Sequence, residues 1–506
     1  MPRAAIAGLM SIAAVRHWWR RPTPPLLGIA ALKFAIHLAT NGVYGFQRDE
    51  MYYIISGQHP ALGYVDYPPV TPMLAWLNTS IFGISPWTFR LFPALAGALV
   101  VFLAGMCARE MGAGRGIAIL ASLVTLMSPL LLGANWLFQT VTFDQLTWLI
   151  AIFLLLRILR TGDARLFILL GVDIGVGLET KLTILALCAG IVAAVLVSRD
   201  LRPFLRTRYP WIGVVIALAL FAPNVAWQIA NAFPSLTYVR NHSADIANSG
   251  GMVTFIADFI LYTGPLILPI WIAGLVLLLR DQRLRPLGVL AAVAILVLLP
   301  EGKAYYPAPT IPLVLAAGCM AVGRIVSLTQ RRRLTGLVVG AGFIQLVLLL
   351  PVILPVVPTS SLHRFNLDKL RQDFADTVGW PDMASQVAAV YNALPAAQRS
   401  TTSILTNNYG EAGAIDIYGG RQHLPQAISA QLTFWYWKPA NLDATTLVTV
   451  GFNPGDIAFF CGTVSRAGSV RMPDAVANQE AGTPILVCTH LRESINAAWP
   501  SLRGFN

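Results

Sequence analysis

The sequence predicts a polytopic α-helical membrane protein that ends in one water-facing domain, and three observations predict it. The first is composition: of 506 residues, 56% are hydrophobic and 12% charged, where a soluble domain carries about 25% charged residues. Mean hydropathy is +0.63. The second is the recurrence of apolar runs from Leu26 to about Val357, after which they stop. A run of about 20 residues crosses a hydrocarbon core of roughly 30 Å as a helix, and a single buried core does not become this apolar over such a length. The third is the sorting of basic residues. Arg3, Arg16, Arg20 and Arg21 precede the first run, and later groups are Arg109 and Arg115; Arg157, Arg160 and Arg165; and Arg199, Arg202, Arg206 and Arg208. Arg280, Arg283 and Arg285 follow, then Arg324 and the run Arg331 to Arg333.

These groups hold more than half of the 36 basic residues, and all fall in alternate short loops. The intervening loops hold few, of which Arg48, Arg240 and Lys303 are the clear members. Such asymmetry is the positive-inside rule. It predicts a cytoplasmic N-terminus, with Arg16 to Arg21 as a cytoplasmic anchor and no cleavable signal. It also accounts for the net charge of +12 without nucleic-acid binding. Under this constraint the spans fall near 26–46, 89–108, 117–134, 141–159, 166–179, 182–198, 211–230, 257–279, 287–300, 307–324 and 335–356, about eleven. An odd number places the C-terminal part on the outer side. The division is therefore a transmembrane part, 1–358, and an outer domain, 359–506.

The outer loops carry the candidate chemistry. The first, Phe46 to Leu77, opens with Arg48 and the adjacent acids Asp49 and Glu50, and adds His59, Asp66 and the aromatic residues Tyr52, Tyr53, Tyr64, Tyr67 and Trp76. Acids at a membrane boundary are costly unless solvated or paired, and often functional; interfacial aromatics are ordinarily belt residues. Pro68-Pro69 leads into Val70 to Phe82, an amphipathic segment suited to the membrane surface. In the second loop Asp144 sits a few residues into a span, either a functional acid or one favoured at a helix start by the dipole. The fifth loop places Lys303 beside Tyr305 and Tyr306, one cation and two hydroxyl donors that suit a phosphate or serve as a membrane anchor.

In order, Asp49-Glu50, GYVDYPP, FDQLTW with Asp144, GLETKLT and GKAYYPAP resemble the GT-C glycosyltransferases. The likeness is to bacterial members of the protein mannosyltransferase superfamily, which includes the lipid A aminoarabinose transferase and rhizobial galacturonosyltransferases. It covers nearly the whole chain, extending to NNYGEAGAIDIYGG, LPQAISA and WYWKP near the C-terminus. No single motif is highly specific; their order and shared outer location carry the resemblance. It implies a GT-C fold and inversion at the anomeric carbon in one displacement. The donor would be a sugar on a polyprenyl phosphate, and the acceptor a membrane lipid, a glycan or a protein. In that reading Asp49 is the general base with Glu50 its neighbour, and Asp144 is a second acid lining the cavity. Lys303 and Tyr306, with Tyr305 and Arg240, lie near the donor phosphate; His59, Tyr64, Asp66, Tyr67 and Lys181 line the cavity. GLETKLT stands where many relatives have GLALLTK, making Glu179 an extra acid. The resemblance also implies a bacterial inner membrane.

No nucleotide motif is present, and His59, His242 and His363 form no recognisable metal set. No cofactor is predicted, although some relatives carry a metal near the first-loop acids. From residue 359 on, short apolar strands (Thr402–Leu405, Thr446–Gly451, Ile457–Phe460, Pro484–Cys488) alternate with helical stretches such as Asp382–Leu394, which predicts a small α/β domain. It would lie over the membrane cleft, either as a cap or as a shaper of acceptor access, with Asn407, Asn408, Tyr409 and Glu411 as its polar cluster. Cys461 and Cys488 pair in an oxidising compartment or stay free; Cys107, Cys188 and Cys319 lie in predicted helices. A transporter or flippase of a lipid-linked substrate is the competing class. Transporters tend to show internal repeats and charges at mid-membrane, whereas the acids here gather at the outer boundary.

Overall fold

The computed structural model of the protein describes residues 23–247, 251–301, 303–325 and 327–505; Arg3, Arg16, Arg20 and Arg21 lie outside the described residues. Each expected apolar run contains a helix. By length and composition, four of the described helices can cross a membrane: Pro86–Glu110, Thr140–Thr161, Tyr209–Ala230 and Leu328–Ile353. Two bent pairs bring the number to at most six. The other runs form shorter apolar helices, among them Leu166–Leu178 and Ile184–Val197. At 1.5 Å per residue, 13 residues reach about 20 Å, so length alone does not make each of these a full span.

The run expected as one span over 257–279 is two helices, Gly251–Thr263 and Leu268–Arg280, bent by 100°. The break falls at Gly264-Pro265. Gly264 has φ 112°, a conformation glycine adopts without steric penalty, and a proline there cannot supply the next helical N–H. Close helix contact in the bundle depends on small residues. Leu268–Arg280 packs on Ile311–Gly323, where a Cβ on Gly274 or Gly318 would strike the partner's backbone at Val314 or Ile270.

Two ends of the bundle differ in charge. Thr140–Thr161 begins just before Asp144 and ends where Arg157 and Arg160 pair with Glu110 at 3.1 and 2.5 Å. Glu110 is itself the last residue of Leu91–Glu110. The first loop and the C-terminal domain meet at the other end, the site face.

The C-terminal domain holds a five-stranded sheet of β1 (Thr402–Thr406), β2 (Ala427–Ser429), β3 (Thr446–Val450), β4 (Cys461–Ser469) and β5 (Pro484–Leu491). Its order is β2-β1-β3-β5-β4. β1 runs parallel to β2 and β3, while β5 is antiparallel to β3 and β4. The expected strand Ile457–Phe460 is corrected: Asn453 and Asp456 form a capping box on the helical turn Pro454–Ile457, and the strand starts at Cys461. Cys461 and Cys488 form a disulfide between β4 and β5.

Strand alternation divides the sheet's side chains between two cores. Leu405, Leu447, Leu486 and Cys488 pack with Ile495 and Trp499. Ile404, Val448 and Ile485 face the other way and share one core with Phe46, Met51, Tyr52 and Phe138 from the membrane part. The domain is therefore fused to the first loop through a common hydrophobic core.

Candidate active site

The helix Arg48–Gln58 sets the two first-loop acids in different surroundings. It begins with a capping box: the Gln47 side chain accepts from the Asp49 N–H at 2.7 Å, and Glu50 accepts from the Gln47 N–H at 3.0 Å. Adjacent helical residues do not share a face. Glu50 therefore turns inward, fully buried, onto the equally buried Arg90 (2.6 Å). Arg90 also donates to the carbonyls of Asn41 (2.7 Å) and Gly45 (2.6 Å), and the Phe138 N–H donates to Glu50 at 3.0 Å. A buried pair persists when its remaining hydrogen bonds are satisfied in this way. Glu50, expected beside Asp49 at the chemistry, instead pins the loop to the bundle.

Asp49 keeps accessible surface and accepts a hydrogen bond from the Tyr409 hydroxyl at 2.6 Å. Burial pushes its carboxyl above the usual range, opposed by that hydrogen bond and by Arg48. Arg48 lies over the Tyr409 ring, 4.8 Å from its centroid. Asp66 accepts from Tyr52 at 2.9 Å, and burial raises it to about 7. The Thr433 N–H donates to that same Tyr52 oxygen at 3.0 Å.

Within electrostatic reach of the acids stands a cationic and phenolic group. The Lys181 ammonium lies 5.6 and 5.0 Å from the ring centroids of Tyr305 and Tyr306, and that of Lys303 lies 5.8 Å from Tyr306. Burial lowers Lys181 to about 8, opposed by the charges of Asp144 and Asp49 and reinforced by that of Lys303. Asp144 is 2% exposed and accepts from Thr183 at 2.9 Å; its other oxygen is buried with no hydrogen-bond partner among the described residues. Asp49, Asp66, Lys181, Lys303, Tyr305, Tyr306 and Tyr409 all keep part of their surface accessible.

Three expected residues lie elsewhere. Tyr64 is 1% exposed and its hydroxyl donates to the Ser56 carbonyl (3.0 Å); Tyr67, 6% exposed, hydrogen-bonds the Ser56 hydroxyl (2.7 Å). Both are buried and brace the loop. Arg240 is exposed on the helix Pro234–Ala247. His59 stacks on Trp437 with centroids 4.7 Å apart. Glu179, the extra acid, accepts from Asn224 at 3.2 Å. Among the described residues no three His, Cys, Asp or Glu side chains group to hold a metal.

Sequence reasoning passed over Arg90 and gave Tyr409 no role beyond membership of a polar cluster. It also passed over Thr433 and Tyr238. Tyr238 is within electrostatic reach of Asp49, Asp66 and Tyr306.

The architecture has solved counterparts. ArnT from Cupriavidus metallidurans in the apo state superposes with a TM-score of 0.59 at 16% identity, covering 94% of this chain and 98% of that one. The chain has the GT-C glycosyltransferase fold. This GT-C protein also matches ArnT from Cupriavidus metallidurans bound to undecaprenyl phosphate (TM-score 0.56, 17% identity, 91% and 97% covered). The Archaeoglobus fulgidus oligosaccharyltransferase in the apo form follows at 0.51 and 13% identity, covering 92% and 76%. Residues 66–227 match the dolichyl-phosphate-mannose-protein mannosyltransferase family, a segment with Asp66, Asp144 and Lys181 but without Asp49 or Lys303. No curated protein matches the chain. The GT-C protein is thus a polytopic helical membrane protein with a small C-terminal sheet domain.

Proposed function

We propose that this protein is an inverting membrane glycosyltransferase that moves a sugar from a polyprenyl-phosphate donor to a lipid, glycan or protein acceptor. The observation that carries the reading is that the Asp49 carboxylate lies within electrostatic reach of Lys181 and Tyr305, which cluster with Tyr306 and Lys303. The solved ArnT bound to undecaprenyl phosphate supports a donor of that class.

In this reading the acceptor hydroxyl attacks the anomeric carbon as the carbon–oxygen bond to phosphate breaks. Asp49 takes the hydroxyl proton, and polyprenyl phosphate leaves with the bonding electron pair. A base serves best with a proton affinity near the working pH, and burial moves Asp49 in that direction. The leaving phosphate gains charge, which ammonium and phenol donors stabilise in a partly dehydrated site. Tyr305 and Tyr306 donate through hydroxyls; Lys181 and Lys303 supply charge. The charge of Asp144 favours the ammonium form of Lys181.

The reaction is placed at the outer face of a bacterial inner membrane, with the N-terminus cytoplasmic. The sorted arginines support this, as does the disulfide in the C-terminal domain. The test is transfer in native membranes from a panel of undecaprenyl-phosphate sugars, comparing the native protein with Asp49→Asn. Transfer that the variant lacks supports the reading. Equal transfer by both removes Asp49 as base.

A further inference from the structure

We propose that Tyr409, from the C-terminal domain, is a positioning residue for Asp49, its hydroxyl holding one carboxylate oxygen so that the other is presented to the acceptor. This rests on the reading of Asp49 as the base and adds which part of the molecule sets it.

Tyr409 is fixed from several sides. It opens the helix Tyr409–Tyr418, whose capping box joins Asn408 and Glu411. The Glu411 carboxylate accepts from the N–H groups of Asn407 (3.0 Å) and Asn408 (3.1 Å), and the Tyr409 N–H donates to the Gln431 side chain at 3.1 Å. Its ring lies against Tyr52, centroids 4.8 Å apart, and under Arg48 at 4.8 Å. A ring held at its backbone and on its ring system has little freedom to move its hydroxyl. That hydroxyl meets Asp49 Oδ1 at 2.6 Å, the short length of a charge-assisted O–H to carboxylate bond.

Other groups facing Asp49 act through space. Arg48 and Lys181 are cations; Glu50, Asp66 and Asp373 are acids; Tyr53, Tyr238 and Tyr305 are phenols. The hydrogen bond from Tyr409 favours the charged carboxylate, so its removal raises the proton affinity of Asp49.

The test needs no substrate. The full-length protein in lipid nanodiscs is titrated by infrared spectroscopy, and the carboxyl band absent from Asp49→Asn reports Asp49. Tyr409→Phe, which removes one oxygen and keeps the ring, is expected to raise that band's midpoint by about one pH unit, roughly a tenfold gain in proton affinity. Tyr52→Phe, which removes a hydroxyl in the same aromatic cluster from Asp66, is expected to leave the Asp49 midpoint in place. An unchanged midpoint in Tyr409→Phe overturns the inference, and so does an equal shift in both variants, which means general loosening. Transfer that survives Asp49→Asn would remove the base reading without touching this result, so the two failures are distinguishable.

Discussion

Asp49 and Glu50 are neighbours in the chain, yet one is bound on every side and the other has been left open. Glu50 is enclosed with Arg90, and backbone groups of Asn41, Gln47 and Phe138 complete the shell. Asp49 keeps accessible surface and one phenolic hydrogen bond. The difference arises from one residue of helical rotation. It teaches that carboxylate identity and sequence position say little about role; the number of satisfied oxygens says more. A fully satisfied acid has no capacity left for a reactant, and an under-satisfied one has.

This contrast is open to breaking. The largest effect is expected on activity: Asp49→Asn should lower transfer by about 10²- to 10⁴-fold, the range of a lost general base, while the melting temperature in detergent stays unchanged or rises. Loss of folded protein in step with activity would erase the distinction. Next comes stability: Arg90→Ala strands the Glu50 charge and should cost about 3–5 kcal/mol, read as loss of monodisperse protein on size exclusion and a lower melting temperature. A milder outcome than for a surface arginine such as Arg332 would show that the Glu50 shell is loose.

Lys303→Met should lower turnover with a sugar-undecaprenyl-phosphate donor by about 10- to 10³-fold, the scale for a lost donor to developing charge, and leave stability unaltered. The smallest effect concerns pH. Burial raises Asp66 to about 7, from an unfolded value near 3.9. An acid raised in the folded state destabilises the fold progressively as pH rises from the unfolded to the folded value. Asp66→Asn should therefore raise the melting temperature at pH 8 and change it little at pH 4. An equal gain at both would assign the effect to something other than its charge.

Much of the membrane part was legible in the chain, because apolar runs and sorted arginines report directly on a bilayer. The loop motifs led to Asp49, Asp144, Lys181 and Lys303, and the structure brings the other three within electrostatic reach of Lys181. What was not legible depends on contacts between distant segments. Arg90 reads as a cation at a helix start, and nothing local says that it spans 40 positions to reach Glu50. Tyr409 lies in a visible polar cluster, but its target is a tertiary fact. The bend at Gly264-Pro265 was written in the sequence as a breaker pair and was overlooked because the apolar run continues through it. The strand mislaid at Ile457–Phe460 had a similar local sign, in the Asn453-Pro454 helix start.

The Tyr409–Asp49 contact joins positions 360 residues apart, which bears on how the protein comes into being. At a synthesis rate of about 5–20 residues per second, the first loop emerges and waits on the order of a minute before its partner exists. During that interval the helices are inserted while Tyr52 still lacks Phe434 and Asp49 lacks Tyr409. A half-made chain is thereby left with an incomplete core around its first loop. The shared core closes only once the C-terminal strands have been made.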